Sequence, residues 1–356
     1  MSIYIFVLIS ISTMVAPLMA CRTVDSGRSS YNISISLIVF LFLFFFAALR
    51  TDVGFDFNNY KMIHTGVYET KVEPLYEFVQ MLTRFFDDYV VHLLIVATIS
   101  FGVKAFFFVK IIPSFSSALF LIYYSTSYLN LELGIIRQSL AVSCVLGMFY
   151  YYRKCNSKTF FLFLFACLFH YSAIIMYPII YLSKVIKVNF LTLILMLLLS
   201  FTISYYIPFY REQIFTLLLV FGDKLSDYSE DITPIGITVG LVLKIMLSFT
   251  VYYVSVKTKI NYEETKSLLF IYVSGLCVFI AFNSIPILAA RMMPYFKIFE
   301  CLLLVNFILC FKAGVSRFLV YLCVVFFISM QFYQFLNQDD TVKYYSNYQT
   351  VLSDLF

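Results

Sequence analysis

The sequence predicts an all-α protein, a polytopic transmembrane helical bundle, and three observations carry that prediction. Hydrophobic residues make up 62% of the chain and aromatic residues 20%, at a mean hydropathy of +0.90. Only 13% of residues are charged, against the roughly 25% of a soluble domain. The apolar residues also fall in runs near the ~20 residues that a helix needs to cross a bilayer. A chain of 356 residues has no water-soluble core that could hide so much apolar surface. A soluble enzyme, a secreted disulfide scaffold and a disordered chain are excluded. A transmembrane barrel is excluded too, since its signature is a series of short alternating segments. The expected unit is a single integral membrane domain over residues 1–356.

The spans follow in order. Ser2–Ala20 is apolar and uncharged; it lacks the basic start of a signal peptide, so it reads as a first helix despite a faint lipoprotein-like Leu18-Met19-Ala20-Cys21. Asn32–Leu49 is the second span, and Arg50–Asp88 forms a large polar loop. Within that loop Pro74 suits a first helical position. From there Leu75, Phe78, Val79, Leu82 and Phe86 share one face, which predicts a short amphipathic helix at the membrane interface. Tyr89–Ile111, Ser114–Leu129 and Ile136–Tyr152 are the next spans. Asn189–Ile207, Ile235–Val256, Ser267–Phe282, Tyr295–Phe311 and Phe318–Leu336 complete the set. The eight cysteines show no Cys-x-x-Cys pair and read as small hydrophobes.

Charge orients these spans. Thirteen Lys and Arg collect at 22/28, 110, 153/154/158, 184/187, 257/259/266 and 312/317, with only Asp25, Glu263 and Glu264 beside them. The remaining connections are acidic: Arg50–Asp88 holds seven carboxylates against four bases, and Pro208–Pro234 holds five against two. The positive-inside rule therefore puts the basic segments in the cytoplasm and both chain ends outside. Loops 50–88 and 208–234 become the substrate-facing elements. The ledger closes only if the further apolar stretch Thr159–Leu182 enters and returns on one side. It is accordingly expected to be a re-entrant hairpin with His170 near its tip, beside about ten full crossings. Broken backbone of that kind is tolerated where it is buried in protein or lines a wet cavity.

Unusual polar groups gather on the outer side of this map. His170 alone among three histidines lies deep in an apolar stretch, where an ionisable group is a functional candidate. A neutral imidazole can take a proton near neutral pH; a hydrogen-bonded structural histidine is the other reading. Arg137-Gln138 opens the Ile136–Tyr152 span, followed by the small residues Ser139, Ala141 and Ser143. That guanidinium can either snorkel to the headgroups or bind a ligand. Arg291 lies between Pro286 and Pro294, at the outer end of the Tyr295–Phe311 span. Two arginines converging from different helices would suit a pyrophosphate, because the planar fork binds phosphate oxygens bidentately. Lys244 and Glu300 are expected to neutralise each other, and Lys104 and Lys297 to snorkel. The chain has no phosphate-cradling Gly-rich loop, no His- or Cys-rich metal motif and no nucleophile elbow. Nor does it have a basic, aromatic-interleaved patch for nucleic acid.

Five short motifs occur in order: Arg50-Thr-Asp52-Val-Gly54-Phe-Asp56 with Tyr60; Glu73-Pro-Leu-Tyr76; Arg137-Gln138-Ser-Leu-Ala141; Phe169-His170-Tyr-Ser172-Ala173; and Ala290-Arg291 with Tyr295-Phe296. In that order the chain resembles the EpsG family from about Arg50 to Phe296. Members of that family are multi-pass proteins of bacterial capsule, exopolysaccharide and O-antigen clusters, grouped with Wzy-type polysaccharide polymerases. The resemblance implies glycosyl transfer at the outer face of the bacterial cytoplasmic membrane. A chain carried on undecaprenyl pyrophosphate would pass to the sugar of another lipid-linked repeat unit. Donor and acceptor lipids, membrane lipid and a chain-length regulator are the implied partners, with no cofactor and no metal. On this scheme Arg137 and Arg291 hold the pyrophosphate, and His170 or a loop carboxylate (Asp52 or Asp56) is the base. Arg50, Tyr60, Glu73, Gln138 and Tyr295 would position sugars or brace the loop. A flippase for lipid-linked oligosaccharide, a membrane acyltransferase and a structural subunit are the competing readings.

Overall fold

A computed structural model describes residues 1–20, 26–67, 72–210, 212–214, 236–260 and 262–351. Cys21 and most of the acidic 208–234 loop lie outside the described residues. Among the described residues the protein is helical apart from one two-residue strand pair, and eight helices are long and apolar enough to cross a membrane. The chain forms two compact units, residues 1–170 with 311–356, and residues 171–310.

The first unit contains the membrane-length helices Ser2–Ala20, Tyr89–Ile111 and Val315–Leu336, together with the helix Ser26–Ala48. Two features depart from regular α geometry. The Tyr89–Ile111 helix widens into a π turn over Thr98–Gly102, and the helix from Ser116 to Tyr123 runs into a longer π segment, Tyr124–Gly134. A single residue, Ile135, then separates Gly134 from the next helix, Ile136–Tyr151. That helix packs along Asn156–Phe169. Gly147 allows the approach, since a Cβ there would stand 2.8 Å from the Phe107 ring and 3.1 Å from Leu162.

The polar loop is strapped by the end of the chain. Arg50–Thr51 pairs antiparallel with Gln349–Thr350, Val351 N–H donates to Leu49 O at 2.9 Å, and Gly54 N–H donates to Tyr344 O at 3.1 Å. Tyr348 stacks on Phe46 at 4.0 Å between ring centroids. Gly54 has φ +115°, and a Cβ there would lie 1.9 Å from Leu133 O. Only glycine fits where the loop crosses the end of the π segment. The amphipathic helix is present as Pro74–Arg84 with Pro at its first turn, and its two sides are set apart as an interfacial helix requires. Tyr76, Val79, Gln80 and Thr83 are buried, while Phe78, Leu82 and Phe86 are left exposed. In a bilayer interface lipid takes the large aromatics, so the protein-facing side can be the more polar one.

The second unit contains a short 3₁₀ turn at Tyr171–Ile175 and the helices Met176–Val185, Phe190–Tyr206, Val239–Thr258, Tyr262–Ala281 and Pro286–Leu309. Tyr262–Ala281 and Pro286–Leu309 form its core, and most of each helix is buried. Phe190–Tyr210 and Val239–Thr258 bury only 22% and offer their apolar sides to lipid. The last core helix starts nine residues before the expected Tyr295: Pro286 occupies its first turn and Pro294 lies inside it, buried. A membrane helix tolerates an internal proline because neighbouring groups satisfy the freed carbonyl. Pro294, just before the expected span, is therefore an interior residue.

Candidate functional site

Glu73 organises the site. It is the N-cap of the Pro74–Arg84 helix, in extended backbone (φ −65°, ψ 144°), and its side chain makes no capping bond. The carboxylate is thereby free to reach outward from the helix start. One oxygen accepts from Arg137 Nη1 at 2.6 Å; the other is bonded to His170 Nδ1.

His170 is held by a helix end. Asn156–Phe169 stops at His170, whose backbone is extended (φ −161°, ψ 119°) while its N–H still donates to Ala166 O at 2.9 Å. This is the interruption in the apolar 159–182 stretch, at the residue where the tip of the re-entrant segment was expected. The other ring nitrogen, Nε2, lies 3.0 Å from Gln138 Nε2. With Nδ1–H donating to the Glu73 carboxylate, Nε2 carries the lone pair and the Gln138 amide donates to it.

Arg137 stands in the first turn of Ile136–Tyr151, where a cation opposes the positive end of the helix dipole. The Glu73 carboxylate offsets that. Arg137 Nε also donates to Tyr60 Oη at 3.3 Å, and the guanidinium lies 5.7 Å from the Tyr60 ring centroid. Its side chain keeps 29% exposure against 5% for Glu73 and 13% for His170. The cluster thus has a buried carboxylate at the back and a guanidinium that opens outward. Burial would by itself raise the Glu73 carboxyl. The His170 hydrogen bond and the Arg137 charge outweigh it and hold the value down to about 2, against an ordinary 4.5. Glu73 is an anion at any physiological pH.

The sequence placed His170, Arg137, Gln138, Tyr60 and Glu73 on one side, and the structure joins them within one unit. Glu73, expected to position sugars or brace the loop, is the carboxylate that bonds His170 and Arg137. Asp52 is exposed, in left-handed backbone at φ 52°, and Asp56 is the N-cap of Phe57–His64. Both stand at the loop start, whereas the proline-fixed start of the next helix delivers Glu73. Arg50 is 3% exposed; its guanidinium bonds Ala47 O and, at 3.2 Å, Val53 O, so it braces the loop from inside. Arg291 and Tyr295 belong to the second unit. There Ser172 Oγ lies 3.1 Å from Tyr295 Oη and 3.5 Å from the main-chain oxygen of Arg291.

Two further expectations change. Lys104 does not snorkel: it is fully buried and paired with Glu132 at 2.8 Å. Lys297 stands midway along Pro286–Leu309 rather than near an end. Lys244 and Glu300 do pair, at 3.3 Å. Glu132 escaped the sequence reading because it falls just past the expected end of a span. A lone lysine and a lone glutamate within apolar segments was the available signal. Among the described residues no three His, Cys, Asp or Glu side chains gather as metal ligands would.

The model of the EpsG family matches residues 33–350. No curated protein and no solved structure matches the chain.

Proposed function

From the chain's membership of the EpsG family, and so its place among polysaccharide polymerase-type membrane proteins, we propose that it extends a glycan by glycosyl transfer between lipid-linked repeat units. The donor is a chain on undecaprenyl pyrophosphate and the acceptor a sugar hydroxyl of a second lipid-linked unit. Transfer takes place at the outer face of the bacterial cytoplasmic membrane. One observation carries the chemistry: a single carboxylate, Glu73, grips an imidazole and a guanidinium at once.

In the reaction the acceptor oxygen bonds to the anomeric carbon of the donor, and the bond from that carbon to the pyrophosphate oxygen breaks. The electron pair leaves with the pyrophosphate. His170 Nε2 takes the hydroxyl proton, displacing the Gln138 amide that occupies it at 3.0 Å. Glu73 keeps the Nδ1–H tautomer and stabilises the imidazolium once it forms, as a buried carboxylate does for a catalytic histidine. Arg137, the more open member, faces the charge that develops on the leaving group. Its position at a helix N-terminus favours a phosphate there. Arg291 keeps its expected role as an anion ligand on the sequence argument alone.

The test is glycan size in a deletion strain. Loss of a polymerase leaves single repeat units on lipid or cell surface, whereas loss of a flippase removes surface sugar altogether. Complementation with the native chain should restore the ladder, and with His170→Ala it should leave single units. A deletion strain without surface sugar, or a full ladder from His170→Ala, would overturn the assignment.

A further inference from the structure

We propose that the buried Lys104–Glu132 pair is a positioning device for the Arg137–Gln138 end of the adjacent helix; this rests on the glycosyl-transfer reading above and adds residues to it. Lys104 Nζ lies 2.8 Å from Glu132 Oε1, 2.8 Å from Ser100 Oγ, 2.7 Å from Ser139 Oγ and 2.8 Å from the main-chain oxygen of Ser139. Ser100 Oγ donates to Glu132 Oε2 at 2.7 Å and shares a hydrogen bond with Ser139 Oγ at 2.7 Å, and Tyr123 Oη donates to Glu132 Oε1. Lys104, Ser100 and Ser139 are 0% exposed.

Three facts distinguish this network from a neutralised charge. It binds the backbone of Ser139, the residue next to Gln138 and two from Arg137. Two of its members lie in the π-helical departures, Ser100 in Thr98–Gly102 and Glu132 in Tyr124–Gly134. Such departures commonly mark functional sites. Finally, an apolar pair of similar volume would generally serve stability as well or better, because desolvation of two ions offsets their attraction. What an apolar pair cannot do is hold the Ser139 carbonyl, and with it the register of the Arg137 guanidinium on Glu73 and the Gln138 amide on His170.

Two double variants separate position from folding. Lys104→Met with Glu132→Met leaves no unpaired charge; Lys104→Gln with Glu132→Gln keeps donors for Ser139 without charge. Each is expressed as the full chain in the deletion strain, with membrane abundance and melting temperature measured beside glycan length. The Met pair should match the native chain in abundance and melting temperature while elongation falls about 10-fold, since small misplacements of catalytic groups cost that much or more. The Gln pair should recover elongation to within about threefold, a rescue that hydrogen-bonded register explains and net charge does not. Native elongation by the Met pair, or equal loss in both pairs, overturns the proposal. Should the Met pair fail to accumulate, the Gln pair decides alone: native-like elongation supports positioning, and loss at normal abundance refutes it. Normal elongation by His170→Ala in the same strain would instead sink the underlying reaction and leave the positioning geometry untouched.

Discussion

Replacing Glu73 by Gln keeps the shape of the side chain and removes its charge, which strips the candidate site of its common partner. The Arg137 guanidinium then loses its charged partner and, among the described residues, keeps the Tyr60 hydroxyl at 3.3 Å and the Tyr60 ring face, beside a neutral amide oxygen at position 73. The fall of the Glu73 carboxyl from 4.5 to about 2 corresponds to about 3 kcal/mol in favour of the ionised form. Part of that is screened, because Arg137 is 29% exposed, so a loss of about 2 kcal/mol of stability is expected. Since the folded value is depressed, this stabilisation is fully present above about 4.5 and is lost as pH falls toward 2. Glu73→Gln should therefore lower the melting temperature at pH 7 and narrow the gap to the native chain below pH 4. Elongation should suffer more than stability: without the carboxylate the Nδ1–H tautomer is no longer enforced, a defect that costs on the order of 10²-fold or more in comparable dyads. Glycan ladders from equal amounts of membrane protein provide the assay. A ladder within about threefold of the native one would refute the orienting role of Glu73.

Arg137→Lys retains charge but can serve only one of the two directions now taken by Nη1 and Nε. Elongation should drop by about 10-fold or more at unchanged abundance, measured on the same ladders. Arg291→Ala tests the expected anion role separately; short glycans at native membrane level support it, and full-length chains remove it. Gly54→Ala forces a Cβ to within 1.9 Å of Leu133 O at φ +115°. It should cost about 2–4 kcal/mol and show as a lower melting temperature or loss of the protein from the membrane. Across pH 5–8 the charge of Glu73 is constant. Any change of elongation in that window should therefore persist in a variant that retains Glu73 and alters only an exposed carboxylate outside the site, such as Asp340.

Much of this molecule was legible because lipid imposes a simple demand: runs of apolar residues must form helices, since the backbone finds no other partners there. That rule predicts the helix bundle and most span positions, and it marks His170 as an ionisable group inside an apolar stretch, while the Pro74 helix start follows from proline's own preference. Local rules fail where the decision is not local. Pro294 has the chemistry of a helix end, and only packing within Pro286–Leu309 makes it an interior residue. Lys104 and Glu132 stand 28 residues apart with a whole apolar segment between them, and nothing in their sequence neighbours announces that they come within 2.8 Å. Likewise Asp52, Asp56 and Glu73 are equivalent as loop carboxylates in one dimension. The sequence by itself determined that the chain is a bundle of apolar helices fit to cross a membrane, and which ionisable groups are candidates for a function. Only the tertiary structure decided which carboxylate meets the histidine, because that depends on where a proline-fixed helix start, a helix break and a neighbouring first turn come to rest. Hydrogen bonds reach about 3 Å, a distance at which sequence separation carries no information.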